Sequence, residues 1–313
     1  MEQTKKTILQ NKKIADPLAV LCTFMWGLAI PMLQRGYGAM GIDSTGDTGT
    51  QLLYAGVRFI ISAVMVYIVL VFSQKKLVIP KKTSILPYIS LGLVQTMAQY
   101  IFYYIGIGKT QGTNTALITS CISFFTVLLA PIFFKSDKLT IPKIGGSIIG
   151  FIGVIIVTGS FEFSASGLVG DGLVLLSTLC AASGNILSKK IANGKNPMEI
   201  TSFQLLFGGV VLVILGIIFG GSLSFNNAES VIYLLILSSA SAIAFSLWST
   251  LLKYHPASRI SVFNLLVPIF GTILSGVLLG ENIFKIETGI ALVLIVAGII
   301  LVNVTFNKRG QEE

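Results

Sequence analysis

The chain has 313 residues, 53% hydrophobic and only 11% charged, with a mean hydropathy of +0.85 and a formal net charge of +9. Soluble domains carry about 25% charged residues, so a soluble α/β enzyme of this length is excluded. Nucleic-acid binding is excluded too, because the basic residues are scattered in short segments between apolar runs instead of gathered on one patch.

The first segment, MEQTKKTILQNKK, is basic and belongs to a tail over 1–16. The apolar run behind it is about 20 residues long, beyond the 7–15 residues of a cleavable signal. It predicts an uncleaved first span over 17–36, with Trp26 deep inside it. A crossing needs ~20 apolar residues to cover ~30 Å of hydrocarbon. On that measure further spans fall over 52–73, 85–107, 113–134 and 142–160. A polar Gly/Ser-containing link follows, with an outer linker over 161–171. Five more spans are predicted over 172–190, 199–219, 229–251, 258–280 and 285–305, and a tail over 306–313. The expected fold class is an all-α membrane protein of ten transmembrane helices.

Lys and Arg in the short loops set orientation. With the N-terminus inside, 18 of the 22 fall in inner segments, against Arg35, Lys109 and Lys285 outside and Arg58 within a span. Both termini are therefore expected to be cytoplasmic, in the cell membrane. Sliding 84–139 onto 229–284, an offset of 145, superposes Tyr88 on Tyr233, Tyr103 on Trp248, Phe125 on Phe270, Thr119 on Asn264 and Ser123 on Pro268. This suggests two five-helix repeats, over 17–160 and 172–305. Five is odd, so the second repeat enters from the opposite side. Inverted repeats of this kind recur in transporters that work by alternating access around a midplane site.

These residues resemble the drug/metabolite transporter superfamily, in particular its EamA-type branch. The likeness is carried by Trp26-Gly27, Arg58-Phe59, Gly170-Asp171 and above all ASRISVFNLLVPIFGTILSGVLLGEN, ending in Leu279-Gly280-Glu281. It covers about 17–305. The chain departs from the family pattern in three places. Ser123 stands where a proline is usual, Lys135-Ser136-Asp137 replaces Leu-Gly-Glu, and the first outer loop is long. The resemblance implies a transporter of a small metabolite, with amino acids the family-level expectation and Trp26 and Trp248 in the cavity.

Polar groups are costly against lipid, so those inside spans should face the bundle interior. Gln95, Gln99 and Tyr103, at i, i+4 and i+8, form one stripe. It reads as a cavity wall or as interhelical glue. Thr115, Thr119 and Ser123 form a second stripe, equally suited to close packing. Asn185, Gln204 and Asn264 are the mid-span polar residues of the second half, and Pro268 breaks its helix. Arg58 reads as a substrate contact or as a structural cation near the outer surface. Together, Trp26, Arg58, Gln95, Gln99, Tyr103, Thr119, Asn185, Gln204, Trp248 and Asn264 form the candidate substrate cavity. Pro268, Gly280 and Glu281 are structural or gating candidates, with Glu281 an outer helix-end anchor four residues before Lys285.

No Asp or Glu lies in the middle of a span, which leaves proton coupling, exchange and facilitation open. Cys22, Cys121 and Cys180 lie in apolar runs and read as packing residues. The sole histidine, His255, sits in an inner loop, and neither a metal-ligand cluster nor a G-x-S-x-G motif occurs. An intramembrane enzyme is thus disfavoured, no metal or cofactor is expected, and a passive channel is the main rival. The expected partners are a small-molecule substrate and the lipid bilayer, with the protein a monomer or homodimer.

Overall fold

The structure is a computed structural model that describes residues 8–43, 46–110, 112–158, 167–225, 227–279 and 286–309. All regular structure among them is helical. Helix α1 (Lys12–Met40) starts where the Asn11 side chain accepts from the backbone N–H of Lys13, 3.0 Å away, and stops at Gly41, whose φ of +69° turns the chain. Helix α2 (Thr48–Gln74) is capped by Asp47, which accepts from Thr50 N at 3.0 Å. Next comes a composite segment: α3 (Lys82–Leu91), a π-helical stretch over Gly92–Ala98, and α4 (Gln99–Ile107). Then follow α5 (Gly112–Phe133), α6 (Ile141–Thr158), α7 (Gly167–Ile191), α8 (Pro197–Ile218) and α9 (Ala228–Tyr254). A second composite follows, α10 (Ala257–Ser261), a 3-10 stretch over Val262–Leu265 and α11 (Leu266–Leu279), and then α12 (Ile286–Arg309).

Among the described residues, eight helical segments are long and apolar enough to cross a membrane, and two shorter apolar helices cover 118–133 and 141–156. Residue distribution fits lipid as the solvent. Ile68, Ile152, Ile214, Val231 and Val293 are exposed, whereas Arg58, Gln95, Asn185 and Gln204 are buried.

The packing has a reciprocal pattern. Helix α1 lies against α9 and α11, while α7 lies against α4 and α5; α2 pairs with α8, and α6 with α12. Gly112 and Ala257, which open α5 and α10, are also separated by the 145 positions that relate the two sequence halves. The α2–α8 and α6–α12 pairs approach through small residues. A Cβ at Gly56 would lie 2.7 Å from Val213 N, and one at Gly146 2.6 Å from the Gly298 carbonyl.

The two composite segments have different causes. Pro268 has no N–H, so the Asn264 carbonyl loses its i+4 donor, and the chain takes 3-10 geometry over 262–265 just before it. The sequence-equivalent α5 carries Ser123 instead and runs as an unbroken α-helix, in line with the asymmetry expected from Pro268. The π stretch has no proline; it carries Gln95, and its consequence is felt at the site below. Gly280, Glu281 and Lys285, as well as residues 161–166 of the linker, lie outside the described residues.

Candidate functional site

Asn185 on α7 is the centre of a buried polar node. Its Oδ1 accepts from Trp248 Nε1 on α9 at 3.0 Å and from Gln95 Nε2 on the π stretch at 3.4 Å; its Nδ2 donates to Thr126 Oγ1 on α5 at 3.4 Å. Asn185, Trp248 and Gln95 are 3%, 2% and 6% exposed. One carboxamide thus ties together four helical segments, two before the linker and two after it. In apolar surroundings each such bond is favoured because the alternative is an unsatisfied polar atom.

Local backbone features put these side chains in place. In the π stretch the hydrogen bonds run i→i+5, which accommodates an extra residue per turn, a feature frequent at functional sites. The stripe expected for Gln95, Gln99 and Tyr103 is therefore split. Gln95 reaches Asn185, Gln99 is half-buried outside that network, and Tyr103 joins an aromatic cluster with Tyr100 and Tyr104. Gly184 makes room for Gln95, since a Cβ there would sit 2.6 Å from Gln95 Cβ and Cγ. Gly27 plays the same part beside Trp26. A Cβ at Gly27 would lie 2.5 Å from Phe270 Cβ, so only glycine allows α1 to lie this close to α11.

Aromatic rings continue from the node toward the opposite half of the bundle. Trp26 meets Trp248 edge-on at 4.9 Å and Phe245 at 5.7 Å; Phe245 meets Phe59 at 6.1 Å, and Phe59 meets Tyr100 at 4.7 Å. Arg58 stands at that far end, only 4% exposed, its guanidinium carbon 4.6 Å from the Phe59 ring centre and 5.8 Å from that of Tyr100. Of the candidate residues, the structure joins Trp26, Gln95, Asn185 and Trp248 directly, and Arg58 and Tyr103 through the aromatic chain. Thr119 bonds back to the Thr115 carbonyl of its own helix at 2.6 Å. Asn264 is buried in the 3-10 stretch. Gln204 on α8 is fully buried, with neither amide atom hydrogen-bonded among the described residues.

Sequence reasoning missed the polar lock at the end of the bundle that holds the N-terminus. Asp16 on α1 pairs with Arg259 on α10. Asp137, in the α5–α6 connection and 1% exposed, accepts from Lys143 Nζ at 2.6 Å, from Ser258 N at 3.1 Å and from the Ser258 hydroxyl. It thereby caps α10, whose own N-cap residue is Pro256. Lys189 donates to the carbonyls of Leu252 (3.0 Å) and His255 (2.6 Å), covering the end of α9. His255 Nε2 faces the Leu9 carbonyl at 2.9 Å and its Nδ1 faces Arg259 at 3.3 Å. Burial, with help from Arg259 and Lys189, pushes the His255 pKa below its usual 6.5. The one available signal for Asp137 was that it lies where the family pattern is broken. At the other end Arg35 bonds the Leu278 carbonyl and Thr110 bonds Asp171. No cluster of His, Cys, Asp and Glu among the described residues could hold a metal ion.

A multi-pass helical bundle with uncharged hydrogen-bonding groups at its heart, locked at both ends, is the architecture of a membrane transporter. The EamA-like transporter family matches residues 13–159 and again 168–304, and the chain belongs to that family. It is 27% identical to an uncharacterized transporter of Bacillus subtilis, YyaM, over 78% of this chain and 81% of the relative. It is 26% identical to a protein of Salmonella typhimurium named "Probable amino-acid metabolite efflux pump" over 93% of this chain and 95% of the relative, and 24% identical to an Escherichia coli protein of the same name over 90% and 92%. A solved crystal structure, 17% identical, superposes with a TM-score of 0.80 over 97% of this chain and all of its own.

Proposed function

We propose that the chain is a secondary transporter of a small metabolite such as an amino acid, an exporter or exchanger, working by alternating access between two inverted five-helix halves. The observation that carries this reading is the Asn185 node. It joins Gln95 and Thr126 from the first half to Asn185 and Trp248 from the second, at a place where relative movement of the halves must break or remake it. Two family matches, one per half, and the exchange of packing partners between halves support the repeat. In this reading α5 and α6 also cross, giving ten spans over 17–160 and 172–305, with residues 161–171 an outer linker. The excess of Lys and Arg at the end holding the N-terminus supports cytoplasmic termini in the cell membrane. The protein is a monomer or homodimer that needs no cofactor.

The Asp16–Arg259 and Asp137–Ser258 contacts then form the inner gate, and the Arg35 and Asp171 contacts the outer one. Names of the Salmonella and Escherichia relatives favour amino-acid metabolites, and carboxamides and indoles suit a small solute by hydrogen bonding and stacking.

The test is a thermal-shift screen of the purified protein against a metabolite panel, because a ligand that binds the folded state raises its melting temperature. At least one amino acid or relative should stabilise the wild type and fail to stabilise Trp248→Ala. Equal stabilisation of both proteins would remove the node from the site.

A further inference from the structure

We infer that Arg58 and the phenols around it form a carboxylate-binding subsite in the half of the bundle remote from the Asn185 node, so that the transported solute is a carboxylic acid. This rests on the transporter reading and adds the substrate class to it.

Arg58 lies ten residues into α2, about 15 Å along the helix from its start. It is too deep to be a residue at the helix end, and at 4% exposure its side chain has not escaped to the surface. Burying a cation without an anion is expensive, and membrane interiors retain such a charge mainly where it has work to do. Among the described residues the ion pairs are Lys143–Asp137 and Asp16–Arg259, and no carboxylate meets Arg58. The groups that do surround it are phenols: Tyr37, Tyr54, Tyr100 and Tyr104 all lie within electrostatic range of the guanidinium.

The decisive detail is the set of unused donors. Arg58 Nε and Tyr54 Oη are each buried with no hydrogen-bond partner among the described residues, whereas Tyr37 pairs with Tyr104, and Tyr100 with the guanidinium of Arg58. Tyr37 and Tyr54 are themselves 4% and 0% exposed, with ring centres 5.5 Å apart. A buried guanidinium with an unused N–H, and an unused phenol hydroxyl within electrostatic range of it, call for an acceptor carrying negative charge. A carboxylate meets that need, offering two oxygens to a planar guanidinium in charge-assisted bonds. A neutral carboxamide offers one acceptor and brings two more donors, so it leaves the cation uncompensated. The rest of the solute would then lie along the ring series Phe59, Phe245 and Trp26, toward the node.

The experiment compares each of the twenty L-amino acids with its C-terminal amide by thermal shift and by binding titration of the detergent-purified full chain, at matched chloride. At least one free acid should bind at least tenfold more tightly than its amide. Arg58→Gln should erase that preference; if this variant does not fold, Tyr54→Phe should reduce it severalfold. A preference that survives in the folded variant overturns the subsite, as does a chloride-induced shift equal to that of the acid. Binding of no acid at all overturns it too. Acid and amide binding equally, with both lost in Trp248→Ala, overturns the subsite while leaving the transporter reading in place.

Discussion

The Ser123 hydroxyl donates to the Ser261 carbonyl 2.7 Å away, so unbroken α5 is tied to the backbone just ahead of the 3-10 break that Pro268 imposes. Residues 123 and 268 occupy equivalent places in the two sequence halves, and here one half uses a side chain to steady the weakness of the other. Removing the hydroxyl in Ser123→Ala should cost ~0.6 kcal/mol, the typical worth of a hydrogen bond between membrane helices. Thr119→Ala should cost less, since that hydroxyl bonds only its own helix. Equilibrium unfolding in mixed detergent measures both, and equal losses would refute the distinction.

Gly184 is the position where a single methyl group should do most harm to the node. In Gly184→Ala the new Cβ meets Gln95 near its backbone, where the side chain has little room to yield. Overpacking of this kind costs ~1–3 kcal/mol, and displacement of Gln95 should remove its bond to Asn185 and cut transport. Gly172→Ala on the same helix is the control, because a Cβ there would meet nothing within 4 Å. A Gly184→Ala protein with wild-type melting and transport would contradict the packing described here.

Loss of Asp137 strands a buried cation. Asp137→Ala leaves Lys143, 3% exposed at its side chain, without the carboxylate that balances its charge, though still bonded to the Lys138 carbonyl, and uncaps α10. Breaking a buried pair from one side costs about 3–5 kcal/mol. The double variant Asp137→Leu/Lys143→Leu should recover part of this, because no unpaired charge remains. A melting series over the wild type, single and double variants checks the order, and a double variant worse than the single would contradict it.

His255 should make this end of the bundle acid-sensitive. Its pKa is lowered in the folded protein, chiefly by burial, so the unfolded chain takes up the proton first. Stability from this group is fully present above the unfolded value of about 6.5 and is lost as pH falls from there through the folded pKa. Its neutral form donates from Nε2 to Leu9 and accepts at Nδ1 from Arg259; protonation removes that acceptor and sets two cations face to face. Protection of the amides in the first turn of α10, taken relative to their intrinsic exchange rates, should fall as pH drops below about 6.5 in the wild type and change less in His255→Gln. The same loss of protection in both would assign it to another group.

Hydropathy alone made the helices legible, since lipid leaves no other way to satisfy a backbone. The polar residues of the buried node, Gln95, Asn185 and Trp248, were legible too, because each stands out in an apolar run. Their pairing was not. An i, i+4 stripe presumes α geometry, and the π stretch over 92–98 broke it without a proline or other local sign. Asp137 was hidden for a different reason. In sequence it is one charge in a short basic loop, and only the fold brings it against Ser258.

The most direct test of the central claim is counterflow in proteoliposomes preloaded with a mixture of unlabelled amino acids and presented with the labelled mixture outside. Alternating access around the Asn185 node predicts saturable uptake, faster in preloaded than in empty vesicles, and loss of that stimulation in Trp248→Ala and Asn185→Ala at equal reconstitution. Uptake that rises linearly with concentration, indifferent to preloading and unchanged in both variants, would contradict it.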